Sequence, residues 1–353
     1  TLEHDTKKDL DPYTPIKGKN GYYYIDQRGK VVIEESDYKY ADYFSEGLAV
    51  VRKMDDRLCI IDKTGETVID VTSKVTDIPR QKGEVSIPYE FSDGVIVLVF
   101  GDEPYKIYGC MDKTGELIIY PEYCRIHPFS EGLAFVAYSD GLGLQPNCTG
   151  VKKSGYIDNN GKYVIEFPDK YFGRIFTEGL SATLVKTAND ELKWGYIDKT
   201  GEFVIEPTYD YAYWFRDGLA PVRIGDYQQG KWGYIDKTGN YVIEPQFNEG
   251  YHFVNGLARV KKLYRYGYID KTGEFIIEPE FIDAGDFVNG RAAVKKENKY
   301  GYIDKTGKVV IDIQFDKARD FRCGLAKVGI EVENNNPDDG RTYNKEYKYG
   351  YIN

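Results

Sequence analysis

From residue 21 onward the chain alternates short apolar runs with polar turns in a fixed order. Between Lys193 and Pro207 the sequence KWGYIDKTGEFVIEP places two alternating runs on either side of the turn KTG. Glycine at the third turn position supplies the left-handed residue of a type I turn closed by a bulge, so the stretch predicts a β-hairpin. Asp198 stands at the first turn position, where its carboxylate can accept backbone N–H groups of the turn. Strict alternation through the turn predicts that Ile197 pairs with Phe203 and Gly195 with Ile205 on one face. Tyr196 then pairs with Val204, and Trp194 with Glu206, on the other. Pro207 ends the second strand, a loop such as TYDYAYWFRDG follows, and a third strand of the type LAPV or LARV completes the unit. In that strand Ala258 and Val260 share the packed face, while Leu257 and Arg259 point away. No helical periodicity of useful length is present.

The same order returns along the chain. The turn aspartates are Asp26, Asp62, Asp112, Asp158, Asp198, Asp236, Asp270 and Asp304, and KYGYIN at the end carries Asn353 in their place. A second marker, the glycine of EGL-like triplets, recurs at Gly47, Gly94, Gly132, Gly179, Gly218, Gly256, Gly290 and Gly324. Periods of this length indicate solenoids, propellers or arrays. With three strands per unit, the reading is all-β: tandem three-stranded β-meander repeats, eight hairpin units plus a terminal strand, in an open twisted array. A closed eight-bladed propeller-like ring is the alternative, although propeller blades usually carry four strands. Residues 1–20 read as an N-terminal cap segment, whose YTPIKGKN supplies a strand before GYYYID, and residues 21–353 as a single elongated repeat array.

KWGYIDKTGEFVIEP followed by YDYAYWFRDGLAPV resembles the bacterial WG-repeat family, and the similarity runs from Gly21 to Asn353. The tryptophan itself stands only at Trp194 and Trp232. Tyrosine replaces it at Tyr108, Tyr266, Tyr300 and Tyr349, and Leu58 and Ser154 stand there in two other copies. The resemblance implies an all-β repeat protein, often exported or fused to other modules, and brings no catalytic residues with it.

Charge and composition narrow the function. Against 47 basic side chains stand 57 acidic ones, a net charge of −10, with lysines spread through the turns. This argues against sequence-independent nucleic-acid binding, which needs a basic face. The longest apolar run, Val95 to Phe100, is far shorter than a membrane helix requires, so no membrane insertion is expected. Thirty-three tyrosines suit a thin, strand-rich protein, because the ring can be buried while the hydroxyl stays wet. The cysteines, Cys59, Cys110, Cys124, Cys148 and Cys323, lack zinc spacing and read as mostly unpaired. The chain opens at Thr1 without a methionine or an apolar signal core, so either a signal was removed before Thr1 or the start is not a natural one; the expectation is an exported protein of the extracellular space or cell surface.

Catalytic chemistry finds no support in the motifs. His4, His127 and His252 lie in different units, and no nucleophile elbow, zinc helix or phosphate loop is present, so no enzyme and no cofactor are expected. DNNG, Asp158 to Gly161, has a calcium-loop flavour but is one more copy of the hairpin turn. NNNPDDG offers Asp338 and Asp339 as weak Ca²⁺ candidates without the alternating ligand spacing.

Comparing copies within the chain separates core from surface. Phe215, Phe253, Phe287 and Phe321 recur and should be core, whereas the neighbouring loop positions vary freely. Tyr211, Tyr213, Trp214, Tyr251 and His252 occupy such variable positions on neighbouring copies and form the candidate ligand-binding patch, for clustered exposed aromatics mark binding surfaces. Long insertions, Thr72 to Glu90 and Ser139 to Lys153, are further places where specificity can reside. The expected function is a non-catalytic binding or scaffold module recognising a protein or cell-surface glycan through its loops. The alternative is a structural subunit that pairs with copies of itself through a terminal edge strand at Tyr349, Gly350, Tyr351 and Ile352.

Overall fold

A computed structural model describes residues 13–34, 38–78, 84–101, 106–139, 151–168, 171–332 and 346–353. They belong to two compact units, Thr1–Trp214 and Phe215–Asn353. Among the described residues all regular structure is β except one turn of helix, Val71–Val75, at the start of the first long insertion, where the Asp70 carboxylate caps the Ser73 N–H.

Among the described residues the strands form nine separate antiparallel sheets, seven of four strands and two of three. The fifth sheet sets the pattern: Phe172–Gly173, Ser181–Lys186, Leu192–Ile197 and Phe203–Tyr209 lie side by side in chain order. Four-stranded meanders of this kind are β-propeller blades. The expected open array, or solenoid, of eight three-stranded units is therefore corrected to a propeller fold of nine blades, and the eight-bladed alternative also undercounts by one. The error has two causes. A two-residue strand such as Phe172–Gly173 is too short to leave a periodic signal. The repeat also begins at GYID, in the middle of a sheet, so counting from it leaves half a sheet at each end. Those halves are real sheets: Thr14–Lys17 pairs with Tyr22–Ile25, as the sequence led us to expect, and Glu346–Ile352 pairs with Ala326–Val332.

The hairpin register differs from the simple alternation. Ile197 does face Phe203, but Tyr196 faces Ile205 and Trp194 faces Tyr209, with a shift between each pair. Two bulges thus replace the expected pairs of Gly195 with Ile205, Tyr196 with Val204 and Trp194 with Glu206. The first bulge follows from the turn, and the second surrounds Pro207, which has no N–H to give the ladder. The strand consequently runs past the proline to Tyr209 instead of ending there. The second bulge drives backbone against the neighbouring strand. At Gly195 an added Cβ would lie 2.5 Å from the Ile205 carbonyl oxygen and 2.8 Å from the Pro207 nitrogen. Glycine follows tryptophan in the repeat because no side chain fits there. In the second sheet Cys59 takes the glycine's place, and there the partner strand keeps regular pairing from Ile69 to Asp70, without the second bulge.

The bulges also turn the repeat tyrosine inward. Tyr24, Tyr156, Tyr196, Tyr234, Tyr268 and Tyr302 are at most 1% exposed. Each hydroxyl donates to a backbone carbonyl of the following sheet: to Asp42, Arg174, Tyr213, Tyr251, Gly285 and Arg319, at 2.7–2.8 Å. The recurring loop phenylalanines pack against these rings, as Phe253 does on Tyr234 and Phe287 on Tyr268. The predicted core phenylalanines Phe215, Phe253, Phe287 and Phe321 are buried.

Both refrains of the sequence are thereby explained as joints. Asp198 Oδ1 accepts from the Thr200 N–H at 2.8 Å, the Thr200 hydroxyl at 2.5 Å and the Glu202 N–H at 3.2 Å. The residue before each EGL-type glycine sits at positive φ, and Glu46, Asp93, Glu131, Asp217 and Asn255 reach the next sheet. Glu131 accepts from the Gly179 N–H at 3.1 Å and pairs with Lys199 at 3.2 Å, while Lys199 Nζ also donates to the Glu131 carbonyl. In the second unit the Asp217 carboxylate takes the Gly256 N–H, and its carbonyl takes Lys271 Nζ. Lys113, Lys199, Lys271 and Lys305 of the DKTG turns thus clip their sheets to the one before.

The turn carboxylates make stability depend on acid. The Thr hydroxyl bond, followed by the backbone N–H bonds, holds the carboxyls of Asp198, Asp236 and Asp270 below their ordinary range. A carboxyl depressed on folding stabilises above its unfolded value of about 3.9 and loses that contribution as pH falls through the folded value. Urea-unfolding midpoints should hardly change from about pH 7 to about pH 5 and fall below about pH 4. The double variant D236N/D270N should show a shallower acid limb, and an identical limb would mean that the turns do not supply it.

Candidate binding surface

In the first unit a run of aromatic rings crosses three successive stretches of chain. His127 lies 5.4 Å from Phe172, and Phe135 lies 5.3 Å from it. Phe172 meets Trp194 edge-on at 6.1 Å, Trp194 lies 5.7 Å from Tyr211, Tyr211 lies 5.2 Å from Tyr213, and Tyr213 lies 5.8 Å from Trp214. The edge-to-face and tilted geometries are those that aromatic quadrupoles favour. Short strands position the rings. Phe172 and Trp194 both stand opposite Leu184 in the ladder, which brings them to the same place along the sheet.

An arginine enters this run. Arg174 holds the same place in its loop as Tyr213 and Tyr251 hold in theirs. Its backbone is fixed: the N–H donates to the Ala182 carbonyl, and its own carbonyl accepts from the Tyr156 and Ser181 hydroxyls. The guanidinium lies 4.6 Å from the Trp194 ring centre, 5.0 Å from Tyr211 and 5.6 Å from Tyr213. Its Nε is buried without a hydrogen-bond partner, and no carboxylate among the described residues pairs with it. Arg125 covers the far end of the run, 5.5 Å from the Phe172 ring.

Of the sequence candidates, Tyr211, Tyr213 and Trp214 come together here, half-buried, while Tyr251 and His252 belong to a cluster in the second unit. In that second cluster the charged side chains have partners, although Arg259 Nε is without a hydrogen bond. Arg259 lies 3.8 Å from the Tyr251 ring centre, 3.5 Å from Asp286, and donates to the Ala284 carbonyl. Glu249 accepts from Tyr251, Tyr266 and Lys261. Burial pushes the Glu249 carboxyl up, but those three hydrogen bonds more than offset it and hold the group below its usual range. Burial, followed by the bond to Glu249, pushes the Tyr266 hydroxyl up to about 12. Sequence reading missed Arg174, Phe172 and Trp194 as parts of the surface. Trp194 was legible as a repeat position, but an unpaired guanidinium leaves no sequence signal.

The remaining candidates are placed as follows. Tyr349, Gly350, Tyr351 and Ile352 lie in Glu346–Ile352, the outer strand of a three-stranded sheet, and Tyr349 is 55% exposed under Lys327. Asp338 and Asp339, like His4 and Cys148, lie outside the described residues. At Asp158 the carboxylate takes the Asn160 and Lys162 N–H groups, as in the other turns. Among the described residues no group of three His, Cys, Asp or Glu stands together as a metal site. Cys59, Cys110 and Cys323 are free and buried, and Cys124 is disulfide-bonded. No described helix is long and apolar enough to cross a membrane.

Comparison with known proteins agrees with the repeat. The sequence pattern of the family described as "WG containing repeat" matches residues 24–56, 108–140, 194–227, 232–264, 266–300 and 300–331. No curated protein matches the sequence. Solved structures with a similar fold include BamB from Moraxella catarrhalis, at 11% identity and a TM-score of 0.39, covering 86% of this chain and 94% of that one. The β-propeller domain of the Trilobed protease from Pyrococcus furiosus, with an open velcro topology, matches at 13% identity and a TM-score of 0.40, covering 86% and 99%. Acylaminoacyl peptidase from Pyrococcus horikoshii matches at 14% identity and a TM-score of 0.40, covering 93% of this chain and 59% of the peptidase.

Proposed function

The chain belongs to the WG containing repeat family, and on that premise we propose that it is a non-catalytic binding module. It recognises a protein or cell-surface glycan through the aromatic–arginine surface of the first unit. The observation that carries this reading is the run Phe172, Trp194, Tyr211, Tyr213 and Trp214 with Arg174 set into it. Tyrosine, tryptophan and arginine are the residues that dominate binding hot spots. Repeat positions elsewhere are taken up by folding: the turn aspartates by backbone N–H groups and the turn lysines by the sheet before. Tyr251 and His252 contribute a second, weaker element. Binding requires no cofactor, and the protein works in an exported setting, with which the Cys124 disulfide agrees.

A panel of cell-surface glycans and surface proteins tests this with wild type and the triple variant Y211A/Y213A/W214A. Ligands of the wild type should bind the variant about 30-fold or more weakly. Equal binding by both proteins would remove these residues from the site.

A second reading, a subunit that polymerises, draws on the edge strand Glu346–Ile352 with its exposed Tyr349. Against it, outer strands of four of the other sheets carry Pro121, Pro207, Pro245 and Pro279, a device that blocks edge pairing.

A further inference from the structure

We infer that Arg174 is the recognition point for a single carboxylate, presented by a peptide segment of a protein partner. The inference rests on the binding reading above and names the chemistry of that site.

Three observations lead to it. The guanidinium lies near three aromatic rings and has a buried Nε without an acceptor, although its own backbone N–H and carbonyl are both bonded. Ring faces compensate the charge only in part, and they offer no acceptor to its five donors. Arg259, on a strand of the second unit, shows what Arg174 lacks: its Nε is likewise without a hydrogen bond, but Asp286 stands 3.5 Å away and Nη1 donates to the Ala284 carbonyl. An arginine set among aromatic rings, with its fork unfilled, suits a planar acceptor that bonds it bidentately.

Charge decides the kind of partner. The chain carries a net charge of −10, so a polyanion such as a uronic-acid glycan is repelled before it reaches one arginine. A lone Asp or Glu on a peptide, flanked by apolar or aromatic residues, meets both the guanidinium and the rings of Tyr211, Tyr213 and Trp214.

The test is selection from a random peptide library on the full chain, followed by affinity measurement of the enriched peptides by Trp fluorescence. Binding is compared among wild type, R174Q, R174K and Y213A/W214A. Enriched peptides should contain an acid beside an apolar residue, and their Gln and Asn counterparts should bind poorly. R174Q should weaken binding roughly 10- to 100-fold, with R174K between it and wild type. Peptides that lose binding to Y213A/W214A but not to R174Q would overturn the carboxylate inference and leave the binding surface standing. Peptides indifferent to both changes would overturn both. Failure to enrich any peptide, or capture of a uronate oligomer through Arg174 instead, would overturn the peptide assignment.

Discussion

Replacing Tyr268 by phenylalanine should lower unfolding stability by about 1–2 kcal/mol, and by alanine about 4 kcal/mol. The ring is 1% exposed, and its hydroxyl donates to the Gly285 carbonyl at 2.7 Å, across to the next sheet. The phenylalanine leaves that carbonyl without its partner while the packing on Phe287, at 4.7 Å between ring centres, stays intact. Alanine removes the packing as well and opens a cavity between sheets. Urea unfolding of the two variants separates the terms. A phenylalanine variant as stable as wild type would mean that the hydroxyl contributes nothing, and that the repeat tyrosine is kept for its ring alone.

Gly233→Ala should be far more damaging than the same change at Gly350. A Cβ at Gly233 would stand 2.5 Å from the Ile243 carbonyl oxygen, 2.7 Å from the Pro245 nitrogen and 2.9 Å from the Glu244 carbonyl carbon. All three are backbone atoms of the bulged strand, and none is the free end of a flexible side chain. Overpacking of this kind costs about 3 kcal/mol. Gly350 holds the same place in KYGYI, but no described strand lies on that side of its sheet, and a Cβ there meets nothing within 4 Å. Gly350→Ala should therefore change stability by no more than about 0.5 kcal/mol. Thermal unfolding of the two variants measures the contrast. Equal losses would show that the glycine is required by the strand's own conformation and not by the neighbouring bulge.

The same pair of glycines shows what was legible in the sequence. The period, the hairpin and the turn aspartate could be read because each is local: a carboxylate two residues from the N–H it accepts, a glycine closing a turn. Phe215, Phe253, Phe287 and Phe321 could be assigned to the core by comparing copies. Alternation alone, however, sends Tyr196 to the face of Val204, and the bulges sent it instead into the core opposite Ile205. Pro207 was the signal for the second bulge, read as a strand end because its lost N–H interrupts pairing either way. The count of sheets failed on two-residue strands such as Tyr211–Ala212, which hydrogen-bonding context creates and composition does not announce. In the candidate surface, the aromatic positions could be found from their variability. Arg174 could not, since its standing depends on the absence of a partner in space.

Light scattering of the purified chain over a wide concentration range tests most directly whether this protein binds others or builds itself into assemblies. The account predicts a mass near 40.4 kDa that stays constant with concentration. A mass that grows with concentration, and that falls back when Lys348 to Asn353 are removed, would contradict it and make the outer strand Glu346–Ile352 the working surface.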